Sequence, residues 1–359
     1  MNDKKLWIPG PVQVEKNILE AQSKNMIGHR EVSFTKLYKG ITEKMEDFFE
    51  AQDYHIITHT SSGTLWMDIT ARNLISERAL SATCGSFSER MHKTIMNCGK
   101  EVDQLKFEWG TSSKPEIILE KLREKKYDCL TVVHNETSTG IKNPTEKIGE
   151  LIKSEFPEIT YVIDAVSSLG GDYILPKSNN ADLIFSASQK AFGLPPGLSF
   201  GLISDEAFEK AKQISGRGMY TDLVGLIDYY LKKNQTPSTP AISLLYALDI
   251  RLDQMLEEGH INIFKRHQGM ANYTKSWVIE NNMRMFAEDG YESVTVSTIA
   301  NDQKRSITDL NKELNKRGYL ISNGYGVFKE KNFRIGHMGI WGMDDLKELL
   351  ENIEEIWNL

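Results

Sequence analysis

Two hydrophobic periods alternate through the middle of the chain. Short runs rich in apolar and β-branched residues recur at 54–60, 78–83, 101–106, 127–134, 160–166, 181–186 and 199–203, each of strand length. Between several of them the spacing changes to that of an amphipathic helix. In 145–156, Ile148, Leu151, Ile152 and Phe156 fall on one helical face. Ser113, followed by Pro115 and Glu116, reads as an N-cap with a capping-box acid three residues on. The segment 64–75 reads as a further helix. Alternation of this kind predicts a mostly parallel sheet covered on both faces.

After about Leu256 the pattern changes. One long helix over roughly 256–282 leads into isolated strands near 293–296, 319–321 and 333–335. A final helix carries Leu346, Leu349, Leu350 and Ile353 at core spacing. The expected organisation is an N-terminal arm over 1–20, a large domain over 21–256 and a smaller α+β domain over 257–359. The chain has no internal repeat and no low-complexity tract.

Composition narrows the classes. A length of 359 residues suits two domains, and 40% hydrophobic with 26% charged residues is the balance of a soluble globular protein. The net charge of -7 comes from interspersed acids and bases, which gives no reason to expect nucleic acid or an anionic membrane as partner. The densest basic stretch, Lys121 to Lys126, closes a predicted helix, where cations complement the helix dipole. No apolar run spans a bilayer, and the opening residues lack the apolar core of a signal peptide. The three cysteines, Cys84, Cys98 and Cys129, form no CxxC pair, so neither a disulfide framework nor a zinc site is indicated. A reducing, cytoplasmic location is expected.

Several chemistries can be set aside. The chain has no GxxxxGK(S/T), no GxGxxG after a strand, no GxSxG and no HExxH. His55 and His59 lie in a predicted strand, where four residues separate them by about 13 Å, so this pair alone makes a poor metal site. No metal is expected.

Three features remain at predicted strand ends, where an α/β sheet binds ligands. Thr60-Ser61-Ser62-Gly63-Thr64 joins a strand to a helix, and small residues there let backbone N–H groups and the helix dipole approach a phosphate. Asp164 ends an apolar run, where a buried acid requires a cationic partner. Lys190 follows Ser186-Ala187-Ser188-Gln189 and precedes Gly193-Leu194-Pro195-Pro196-Gly197. A lysine held by such a rigid turn can have its pKa lowered and act as a Schiff-base nucleophile. Each feature alone also fits a plainer role: a capped helix, a turn cap, a surface charge. Their order and spacing together are far more specific.

At these residues the chain resembles the class V group of fold-type I pyridoxal-phosphate (PLP) enzymes, and within it the alanine–glyoxylate and serine–glyoxylate/pyruvate aminotransferases. The matching blocks are Ile8-Pro9-Gly10-Pro11, Met26-Ile27-Gly28-His29-Arg30, the stretches from His134 to Gly140 and from Asp164 to Gly171, Ser188-Gln189-Lys190, the stretch from Thr236 to Leu244, and Phe333-Arg334-Ile335-Gly336. The resemblance implies an α/β fold with a mostly parallel seven-stranded sheet and a smaller C-terminal domain. It also implies PLP carried on Lys190, with that amine moving the substrate proton, and Asp164 paired with the pyridinium nitrogen. It places the cofactor phosphate among Ser62, Gly63, Thr64 and Gln189, Thr137 near the ring hydroxyl, and Phe87 stacked on the ring, although a core phenylalanine is the plainer reading of Phe87. Many relatives carry Trp at that position.

Arg334 would capture a substrate carboxylate with its planar fork, and the arm at Gly10 would line the substrate pocket. The segment with Thr236 and Ser238 would cross a homodimer interface to the neighbour's phosphate. The implied reaction is ping-pong transfer from alanine or serine to glyoxylate or pyruvate. No second arginine can be placed for a side-chain carboxylate, which disfavours aspartate and glutamate as donors. Related activities stay open: 2-aminoethylphosphonate–pyruvate or ureidoglycine–glyoxylate transfer, and a scaffold that has lost the chemistry. Cysteine desulfurase activity is disfavoured, because the last cysteine, Cys129, falls inside a predicted strand.

Overall fold

The structure is a computed structural model and describes residues 4–359. In chain order its strands are β1 (Lys5–Trp7), β2 (Tyr54–His59), β3 (Arg78–Thr83), β4 (Glu101–Lys106), β5 (Cys129–Val133), β6 (Asn135–Glu136), β7 (Ile141–Lys142), β8 (Thr160–Asp164), β9 (Leu183–Ala187), β10 (Ser199–Ser204), β11 (Arg284–Met285), β12 (Val296–Ala300), β13 (Tyr319–Asn323) and β14 (Asn332–Gly336).

Seven strands form the main sheet in the order β2-β10-β9-β8-β5-β3-β4. All neighbours are parallel except β10, which runs antiparallel to both β2 and β9. The central strands β5, β8, β9 and β10 are buried at every position, as a sheet covered on both faces requires. Side chains alternate between two cores. From β8, Tyr161 and Ile163 join the core under the helices Val32–Phe49 and Ile242–Glu258, whereas Val162 joins the core under Thr64–Asn73 and Ser86–Asn97.

A second sheet has the order β1-β13-β14-β12-β11. Helices His260–Glu280, Ile307–Lys316 and Met343–Trp357 supply the apolar residues packed with it. In the last helix Leu346, Leu349, Leu350 and Ile353 are buried, as their spacing predicts. Residues 5–7, expected in an arm, instead form β1 and pair in parallel with β13. Trp7 anchors them by stacking on Trp341 with ring centroids 4.5 Å apart.

Other departures have local causes. The helix expected over 256–282 is two helices, Ile242–Glu258 and His260–Glu280. Gly259 separates them with φ +79°, a value that favours glycine. The strand expected at 293–296 starts only at Val296, because the Ser293 hydroxyl accepts the N–H groups of Thr295 and Val296 and turns the chain. Ser113 does not cap its helix; Lys114 holds the cap position, without a side-chain bond, while the Ser113 N–H is taken by Asn143. Among the described residues no helix is long and apolar enough to cross a membrane.

Candidate active site

The sheet topology sets the C-terminal ends of β2, β5, β8 and β9 along one edge, and a cavity opens there. Its empty volume is about 560 Å³, open mouth included, a size suited to a small ligand. Ser62, Gly63, Thr64, Phe87, Thr137, Asp164, Gln189 and Lys190 all line it. So do Arg90, Asn135 and Ser167, for which the sequence suggested no role.

At one end the helix Thr64–Asn73 begins with Gly63 in the cap position and no capping side chain. The Leu65 and Trp66 N–H groups go to the Ser62 and Gly63 carbonyls, which leaves the helix dipole and the N–H groups of Gly63 and Thr64 to an anion. Gln189 borders the same space, and its buried Oε1 has no hydrogen-bond partner; the same holds for Asn135 Oδ1.

Asp164 ends β8 and is 5% exposed. Its Oδ1 accepts the Val166 N–H at 3.0 Å. Burial pushes the carboxyl up to about 7; the Val166 bond opposes the rise, Glu136 adds to it, and Lys190 and Arg90 also oppose it. Behind it the Ser167 hydroxyl takes Asn135 Nδ2 at 2.8 Å and meets Thr137 Oγ1 at 2.7 Å, which fixes both residues against the cavity wall.

Lys190 lies just past β9. Burial lowers its amine to about 8, Arg334 and Arg90 lower it further, and Asp164 opposes. The Nζ donates to the Pro9 carbonyl. Gly10 packs directly on this side chain at φ +128°: a Cβ there would lie 2.8 Å from Nζ. Only glycine meets both conditions.

Phe87 opens the helix Ser86–Asn97, whose first turn is fixed by a buried acid. The Glu136 carboxylate accepts the N–H groups of Phe87, Ser88 and Ser138 and the hydroxyls of Ser88 and Ser138. One turn on, the Arg90 guanidinium sits 4.9 Å from the centre of the Phe87 ring.

Arg334, on β14, is 8% exposed, and its hydrogen bonds go only to carbonyl oxygens: Asn323 and Thr137, at 3.2–3.3 Å. Burial lowers it to about 10. Neither Arg334 nor Arg90 has a carboxylate ion-pair partner among the described residues. A buried guanidinium bonded only to neutral oxygens has charge left over to attract an anion.

Residues 13–332 match the family model described as aminotransferase class-V. The chain belongs to the class V aminotransferases. It is 36% identical to an uncharacterized aminotransferase of Methanocaldococcus jannaschii, over 98% of this chain and 92% of that protein. To a serine–glyoxylate aminotransferase of Methylorubrum extorquens it is 30% identical over 96% of this chain and 87% of the relative. Its fold matches the crystal structure of an alanine–glyoxylate aminotransferase from Nostoc with TM-score 0.93 and 26% identity, covering 99% of this chain and 96% of that one.

The cofactor of this aminotransferase is pyridoxal phosphate, and the residues present fit it. An uncapped helix end suits the phosphate, a buried acid suits a ring nitrogen that carries a proton, and an amine with lowered pKa suits the aldehyde.

Two expected residues stand apart. Thr236 and Ser238 line a different cavity, of about 790 Å³, beside His59, Thr60 and Tyr220. Thr236 Oγ1 donates to the Ser238 carbonyl. Arg30, from one of the matched blocks, holds the Thr236 and Pro237 carbonyls at 2.6 and 2.8 Å, so these two distant segments form one surface unit.

Arg90, Asn135, Ser167 and Glu136 escaped sequence reasoning. For Glu136 a signal existed, since an acid inside a Ser/Thr-rich turn invites backbone and hydroxyl donors. For Arg90, an ordinary charge on a helix, there was none.

Proposed function

We propose that this aminotransferase moves the amino group of alanine or serine to glyoxylate or pyruvate in two half-reactions. The observation that carries the reading is one small cavity lined by a neutral-prone amine and a buried acid, Lys190 and Asp164, with a buried guanidinium bonded to its wall: Arg334 donates to the Thr137 carbonyl. When bound, the cofactor supplies an electron sink for the substrate's Cα–H bond pair.

Lys190 would hold the cofactor aldehyde and would move the proton at the substrate Cα. An amine near pH 8 is deprotonated often enough for both tasks. Burial makes the Asp164 carboxylate costly without a positive partner, so it would favour a protonated ring nitrogen. Ser62, Gly63, Thr64 and Gln189 would hold the phosphate and Thr137 the ring hydroxyl, while Phe87 would stack on the ring. Arg334 takes the α-carboxylate with both forks. Gly10 lets the arm close over the amine.

Two copies assemble as a homodimer in which Thr236 and Ser238 of each chain complete the other's phosphate site. That Thr236 and Ser238 line a separate cavity and not the one around Lys190 of their own chain supports this reading. We assign the enzyme to the cytoplasm, where its free cysteines stay reduced. Those cysteines also argue against sulfur transfer. Burial pushes the thiols of Cys84 and Cys129 up to about 12 and that of Cys98 to about 11, the opposite of an activated nucleophile.

The deciding experiment mixes purified enzyme, PLP, alanine and glyoxylate, then assays pyruvate and glycine. No pyruvate, with sulfide released from cysteine instead, would overturn the assignment.

A further inference from the structure

We propose that Tyr325 is the specificity-determining residue of this site: its ring closes the space that a substrate side chain must enter, restricting donors to side chains of one or two heavy atoms. The inference rests on the reading of Arg334 as the carboxylate receptor and of Lys190 as the amine at the reacting carbon.

A substrate held at those two points has one substituent left to place. On the side of the arm there is no room, because Pro9 already touches the Lys190 amine and a Cβ at Gly10 would collide with it. The walls formed by Ser62 to Thr64, Asp164, Thr137 and Gln189 belong to the cofactor. Among the lining residues with no such role is Arg90, stacked against Phe87, and Tyr325 meets both. Its ring centroid lies 5.8 Å from that of Phe87, and its hydroxyl accepts from Arg90 Nη2 at 3.5 Å. The same ring lies 5.5 Å from the Arg334 guanidinium carbon. One phenol therefore bridges the carboxylate receptor and two residues of the cavity wall.

The loop that carries it is rigid. Asn323 Oδ1 accepts the N–H groups of Gly324 and Glu330, and Glu330 accepts from Asn323, Thr308 and the Ile307 N–H. Gly324 passes so close to the Phe328 carbonyl that a Cβ would lie 1.9 Å from its oxygen. The Asn323 carbonyl also holds Arg334. A single clamped loop thus sets both the receptor and, two residues on, the ring that limits what the receptor can hold.

The test compares kcat/KM for alanine and norvaline, with glyoxylate as acceptor, in the wild type, Tyr325→Ala, Tyr325→Phe and Tyr325→Trp. Norvaline adds two methylenes, whose burial is worth more than ten-fold. Tyr325→Ala should raise the norvaline-to-alanine ratio ten-fold or more. Tyr325→Phe, which keeps the ring, should leave it within about two-fold, and Tyr325→Trp should lower serine relative to alanine. A ratio unmoved in both Tyr325→Ala and Tyr325→Trp, while alanine still reacts, overturns the proposal.

A second readout needs no turnover: calorimetric titration of each PLP-loaded protein with propionate and with valerate. Tyr325→Ala should favour valerate ten-fold relative to wild type, and equal preferences in the two proteins would refute the role of Tyr325. A wild type that binds propionate but does not convert alanine would instead sink the assigned reaction, leaving this size filter to be judged by the titration alone.

Discussion

The acid at the tip of β8 should make the cofactor-free protein less stable as pH rises, and replacing it by its amide should remove that penalty. Folded, Asp164 titrates at about 7; unfolded, an aspartate titrates near 3.9. The folded state therefore favours the protonated form. Stability from this group is fully present below about pH 4 and is lost as pH rises to about 7. Three units at about 1.36 kcal/mol each give roughly 4 kcal/mol, most of the margin by which an ordinary domain stays folded. Asp164→Asn keeps the shape and the acceptor for the Val166 N–H, but it cannot ionise. The cofactor-free variant should exceed wild type by about 1–2 kcal/mol at pH 5 and about 4 kcal/mol at pH 8. Urea unfolding at equal protein concentration measures the difference. Adding PLP should narrow or reverse it at pH 8, because a protonated ring nitrogen rewards the carboxylate and not the amide. A difference that stays constant from pH 5 to pH 8 would show that Asp164 is not buried as an uncompensated acid.

The other expectations are direct. Lys190→Ala should lose the visible absorbance of the bound cofactor and essentially all turnover; a retained band with full activity would move the anchoring role elsewhere. Arg334→Lys should raise KM for alanine on the order of ten-fold or more, since a point charge cannot reproduce a bidentate fork, and an unchanged KM would remove the carboxylate role. Gly10→Ala should cost about 1–3 kcal/mol from overpacking against the amine and depress cofactor binding; wild-type affinity for PLP would mean that the arm does not pack there in solution.

The legible parts of the site were those with local signals. Asp164 closes an apolar run of strand length, Lys190 follows another by three residues, and the loop at Ser62 to Thr64 separates such a run from a helix. Strand–helix alternation was enough to anticipate a mostly parallel sheet, and the family resemblance implied its seven strands. Features that depend on distant partners were hidden. Arg90 gains meaning only because Tyr325, 235 positions later, folds against it. Residues 5–7 read as a loose arm because their partner strand β13 lies more than three hundred residues downstream. The helix break at Gly259 was overlooked for a different reason: apolar periodicity continues across it, and only its positive φ interrupts the helix.

The pairing of β1 with β13 also orders events during synthesis. The strip of backbone that covers the Lys190 amine is made early, yet its β1 end cannot pair until the ribosome has delivered residues 319–321, long after Lys190 itself. Closing so large a loop is slow. The nascent chain therefore passes through an interval in which the cavity lacks its roof on that side, a window in which a cofactor molecule can enter before the strap fastens over it.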